Sequence, residues 1–134
     1  MNPRIVSAVV LAVLVLGSAA GLRYAESAAM IGPDFADRAM QVIIGLVLAA
    51  YANVMPKQLG RFRGTPDREA IAQSVRRVGG LAMTIGGLAW AAIWALAPMA
   101  LTRPLAITAV ASATLVTLGY GLWACRRNGR AESA

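Results

Sequence analysis

The residues able to do chemistry are few, and what is missing narrows the field. The 134-residue chain has no histidine and one cysteine, Cys125. Imidazole acid–base catalysis, histidine ligation of zinc or haem, an intrachain disulfide and a paired-cysteine metal site are therefore excluded. None of the six acidic residues lies within a long apolar run, so metal-assisted hydrolysis has few ligands to draw on. What remains is a set of polar, basic and small residues. Asn53, Pro56 and Lys57 stand together, Arg63 follows, and then come Arg77, Gly79 and Gly80. Such groups donate hydrogen bonds, carry charge and permit close backbone approach. They point to binding rather than bond breaking. No enzyme activity, cofactor or metal is expected.

The elements that must position these residues are membrane spans. Charged residues make up 14% of the chain and apolar residues 58%, against about 25% charged in a soluble domain. A chain of this size with so few charges could not coat a water-facing surface. Crossing the hydrocarbon takes about 20 apolar residues. Four stretches meet or approach that length, at about 5–22, 35–55, 78–97 and 105–125. Backbone groups in lipid must satisfy one another, which makes these runs helices. The expected fold is all-α, a single membrane domain over 1–134 with four transmembrane helices and a cytoplasmic loop at about 56–77. The first run has a rival reading: Arg4, an apolar stretch and Ser18-Ala19-Ala20 also describe a cleaved signal peptide.

Orientation follows from the short loops. The amino terminus, the central loop and the carboxyl-terminal tail together hold ten Lys and Arg residues, and the opposite side holds Arg23, Arg38 and Arg103. Basic residues favour the cytoplasmic side, so both termini are expected there. The Arg-, Gly- and Ala-rich composition is compatible with a bacterial source. The +7 net charge then belongs to a basic aqueous face that meets membrane lipid. Direct nucleic-acid binding is not expected.

Local punctuation refines the picture. Pro33-Asp34 followed by Asp37 predicts a helix start, and Thr65-Pro66-Asp67 predicts another. Ile71, Val75, Val78 and Ala82 share one helical face among polar neighbours, which predicts a short amphipathic cytoplasmic helix that turns into or continues as the third span. Thr102-Arg103-Pro104 predicts a tight outer turn, and Arg126-Arg127 with Gly129 a helix end. Gly79-Gly80 and Gly86-Gly87, one heptad apart, predict close helix packing, as does Gly17-x-x-x-Gly21. Trp94 and Trp123 are expected in the outer and inner aromatic belts.

The end of the second span carries a pattern. Asn53-Val54-Met55-Pro56-Lys57, then Arg63-Gly64-Thr65-Pro66, then Arg77-Val78-Gly79-Gly80 resembles the SdpI family of bacterial integral membrane proteins. The likeness covers about residues 50–87. Asp67 and Arg68-Glu69 depart from the Trp and Thr-Leu usual there. The resemblance implies an inner-membrane protein that confers immunity to a membrane-active peptide toxin or relays its presence to a cytoplasmic regulator. Other readings stay open: an accessory subunit of a larger membrane complex, a homo-oligomer, or a small-solute transporter. The spans carry no ionisable side chain beyond their end turns, which counts against proton coupling.

Overall fold

The computed structural model describes residues 3–54 and 66–131. They form four helices: α1 Pro3–Ser27, α2 Pro33–Val54, α3 Pro66–Leu96 and α4 Met99–Ala131. No strand occurs among the described residues. Each helix is long and apolar enough to cross a membrane, so the all-α, four-span fold holds and is compatible with a multi-pass membrane protein.

Backbone hydrogen bonds explain where the helices begin and end. After α1, the Ala29 N–H donates to Glu26 at 3.0 Å and the Met30 N–H to Ala25 at 2.9 Å, the paired bonds of a Schellman motif. The motif needs a left-handed residue at its centre, and here that residue is Ala29 with φ 54°. Entry into α2 is made by the Gly32 carbonyl, which accepts from Phe35 and Ala36 at 3.1 Å each. Gly32 is thus the capping residue, Pro33 takes the first helical position, where its missing N–H costs nothing, and Asp34 lies within the first turn rather than ahead of the helix.

Three boundaries differ from the sequence expectation. The turn between the last two spans lies at Ala97-Pro98, where the Pro98 carbonyl accepts from Leu101 and Thr102. Pro104 therefore sits inside α4, two turns earlier than the run at 105–125 suggested. A proline this close to a helix start removes a single backbone bond, and Thr102 beside it is 1% exposed with its hydroxyl donating to Met99 at 2.8 Å. At the other end α4 passes through Gly129 to Ala131. The third span, expected at about 78–97, is the later part of α3, which begins at Pro66 and runs unbroken through 31 residues, so the residues of the amphipathic pattern continue as the span.

Packing centres on α3, which lies between α2 and α4, while α1 touches α2 alone. The α2–α3 seam is built from small residues. A Cβ placed on Gly87 would stand 2.7 Å from the Ala49 nitrogen, and one on Gly45 would stand 2.8 Å from the Ala91 nitrogen. Side chains this small let backbones meet where lipid offers no hydrophobic drive for association. The α3–α4 seam uses the neighbouring stripe: Gly79 against the Thr117 methyl and Gly86 against the Ala113 methyl. Each glycine pair thus supplies one residue to α4, and the upper pair supplies Gly87 to α2. Gly17 and Gly21 on α1 have nothing within 4 Å of a built Cβ, so their predicted packing is not made with any described residue.

Candidate functional site

The sequence motif falls partly outside the described residues: Pro56, Lys57 and Arg63 lie there. Of the rest, Asn53 is exposed in the last described turn of α2, and Arg77 is exposed on α3. Gly79 and Gly80 are buried. Gly79 accommodates Thr117 of α4, and the Gly80 carbonyl accepts from Thr84 at 2.7 Å.

Helix register sets their relative height. Ala49 lies opposite Gly87, and its carbonyl is 3.5 Å from the Thr84 hydroxyl. Counting five residues down both helices from there places Val54 level with about Ala82, so Asn53 and Arg77 stand up to two turns apart, roughly 9 Å along the axes. Neither side chain makes a hydrogen bond or ion pair with another described residue. The motif therefore divides by role: the glycines set the spacing of the helices, and Asn53 and Arg77 face outward from them.

Beyond Val54, α3 and α4 continue together. The first half of α3 and the last half of α4 are joined by a hydrogen bond of 2.6 Å between the Ser74 and Tyr120 hydroxyls. Val75 reaches the open Cα of Gly121, with 3.7 Å to a built Cβ. Tyr120 lies against Trp123 with ring centroids 5.6 Å apart, and the Arg127 guanidinium sits 5.4 Å from the Trp123 centroid. These three follow one stripe of α4 at spacings of three and four residues.

The end of the bundle opposite the chain termini holds a residue whose role the sequence did not reveal. Arg38 of α2 donates through Nη2 to the Ala97 carbonyl at 2.9 Å and through Nη1 to Trp94 at 3.2 Å and Ala95 at 3.5 Å. These are loose carbonyls at the end of α3, and a guanidinium fork suits them in charge and geometry. The signal available in the sequence was an arginine, beside Asp37, one turn into a helix that carries no charge beyond it. Trp94 also departs from expectation: it is 6% exposed, packed inside the bundle rather than displayed in the belt. It lies next to Trp90 with ring centroids 6.5 Å apart, and both indole N–H groups are buried without an acceptor. Trp123 is 53% exposed.

Among the described residues no cluster of three His, Cys, Asp or Glu side chains could hold a metal ion. Two shallow apolar grooves open toward the surroundings. One, of about 350 Å³, lies between α1 and α2 and is lined by Leu11, Val15, Ile44 and Tyr51 among others. The second, of about 510 Å³, lies between Trp90 and the Ile107–Leu115 stretch of α4. Comparison with known proteins adds no relative: no family model, no curated protein and no solved structure matches the chain.

Proposed function

We propose that this chain is a bacterial inner-membrane protein with both termini in the cytoplasm, acting by binding rather than catalysis. Its role is that of an SdpI-type immunity protein, which protects against a membrane-active peptide toxin or relays its presence. The observation that supports this most is the division within the motif. Asn53 stands exposed in the last turn of α2 and Arg77 stands exposed about three turns into α3, carried on helices whose glycine contacts fix their spacing. That arrangement presents donors to a partner from a rigid base.

The test separates a binding role from simple enforcement of orientation. Arg77→Lys keeps the charge, and so the topology, while removing the planar multi-donor group. In a host that depends on this gene under toxin challenge, Arg77→Lys should reduce protection at normal expression and insertion. Full protection by Arg77→Lys combined with Asn53→Ala would overturn the reading. Orientation is checked in a Cys125→Ser background, where a cysteine near Pro33 should label from the periplasmic side; labelling from the cytoplasmic side alone contradicts it.

A second reading, an accessory subunit of a larger membrane complex, draws on α1. That helix packs on α2 only and leaves Gly17 and Gly21 open, as a helix does when another protein covers it. Cross-linking from α1 in native membranes followed by purification tests it. Recovery of lipid adducts alone would count against a subunit.

A further inference from the structure

We infer that the Tyr120–Trp123–Arg127 stripe of α4 seats one anionic glycerophospholipid, its phosphate on Arg127 and one acyl chain along the helix toward the bilayer centre. The inference rests on the four helices crossing a bilayer and is independent of toxin immunity.

Depth comes first. Ser74, hydrogen-bonded to Tyr120, is about 33 Å from Leu96 along α3, against a hydrocarbon core of about 30 Å. With the outer end of α3 at one headgroup layer, the cluster lies at the other. Charge follows. The side that carries both termini holds ten basic residues and three acidic ones, Asp67, Glu69 and Glu132, so the whole +7 lies there. The other side balances Arg23, Arg38 and Arg103 against Glu26, Asp34 and Asp37.

Shape supplies the rest. Arg127 is exposed and makes no ion pair with a described carboxylate. Its guanidinium rests over the Trp123 ring at 5.4 Å, which steadies it while leaving N–H groups at its edge. A guanidinium edge matches two phosphate oxygens at once. Trp123 is itself held by Tyr120 at 5.6 Å, and Tyr120 by Ser74, so the seat is fixed to both helices. One turn toward the bilayer centre on the same stripe is Gly119, where a built Cβ meets nothing within 4 Å; Val116 follows, 54% exposed. Gly119 thus leaves open surface one turn from the indole ring, against which a hydrocarbon chain can lie. Phosphate, glycerol and chain thus meet Arg127, Trp123 and Gly119 in the order in which a phospholipid presents them.

The experiment uses the full chain in detergent with defined phospholipid, read by native mass spectrometry. The parent should retain one phosphatidylglycerol over phosphatidylcholine of the same chains by roughly tenfold, and Arg127→Gln should lose that preference. Arg103→Gln, on the opposite side, should keep it. Excess glycerol phosphate should leave the bound lipid in place, since it lacks the chain. A second readout uses Trp123 as the sole tryptophan in a Trp90→Phe/Trp94→Phe chain. Brominated phosphatidylglycerol should quench it more than brominated phosphatidylcholine. Equal retention of both lipids by the parent, an unchanged preference in Arg127→Gln, or displacement by glycerol phosphate would each overturn the assignment. Failure of toxin protection by itself would leave it standing.

Discussion

Replacing Gly87 by alanine is the sharpest probe of the packing. The added Cβ would lie 2.7 Å from the Ala49 nitrogen and 2.8 Å from the Gly45 carbonyl oxygen. Both are backbone atoms of α2, so no side chain can rotate away. Reaching ordinary contact requires α2 and α3 to part by roughly 0.7 Å, and a gap of that size forfeits a quarter to a half of each nearby dispersion contact. Those contacts include the reciprocal approach of Gly45 to Ala91. Overpacking of this kind costs about 1–3 kcal/mol. Because both neighbours are immobile the cost does not fall to the bottom of that range: about 2 kcal/mol, or a factor of roughly 30 in the unfolding equilibrium. Gly79→Ala meets only the Thr117 methyl at 2.8 Å, but Thr117 is held by its hydroxyl bond to Ala113 at 2.8 Å. Turning it away costs on the order of 1 kcal/mol. Gly17→Ala meets nothing within 4 Å and gains helix propensity, at most about 1 kcal/mol. The assay is reversible unfolding in mixed micelles, followed by helical circular dichroism. The expected order of stability is Gly17→Ala, parent, Gly79→Ala, Gly87→Ala. A Gly87→Ala protein as stable as Gly17→Ala would refute the close-contact argument.

Other perturbations read other parts of the fold. Arg38→Gln should destabilise by about 2 kcal/mol, since it removes two well-formed charge-assisted bonds to the end of α3. Arg38→Lys should recover less than half of that loss, because one ammonium cannot span the same carbonyls; equal stability of the two variants would show that charge alone matters. Ala29→Gly should stabilise the chain by about 1 kcal/mol, the relief of a left-handed non-glycine residue, measured in the same unfolding assay, and no gain would argue against the Schellman turn. Tyr120→Phe should cost about 0.6 kcal/mol through loss of the Ser74 bond. Ser74→Ala should cost about the same, and the double variant no more than either single one.

Much of the architecture was legible because lipid imposes it. A run of apolar residues that must satisfy its own backbone bonds can only be a helix, so four helices follow from hydropathy, and Pro33 and Pro66 mark two starts correctly. Pro104 misled because a proline inside a membrane helix forfeits one backbone bond, the one an N–H there would make to Ala100, without ending the helix. Trp94 misled because height in the membrane is set by sequence position, whereas facing inward or outward depends on a neighbouring helix. The glycine pairs announced close packing, but not that Gly79 and Gly86 would meet α4 while Gly87 meets α2.

By itself, the sequence determined the helix count, the concentration of positive charge on the side of the termini and the absence of histidine and paired-cysteine chemistry. These depend on residue type and on distance along the chain, which the sequence carries. Tertiary structure decided which helices touch, that α1 stands apart on α2, that Arg38 closes the end of α3 and that Tyr120, Trp123 and Arg127 form one stripe braced by Ser74. Those contacts join residues 46 to 59 positions apart or depend on side-chain direction. In lipid, where apolar surface is equally content against tails or protein, only the fit of one helix surface to another selects among such pairings.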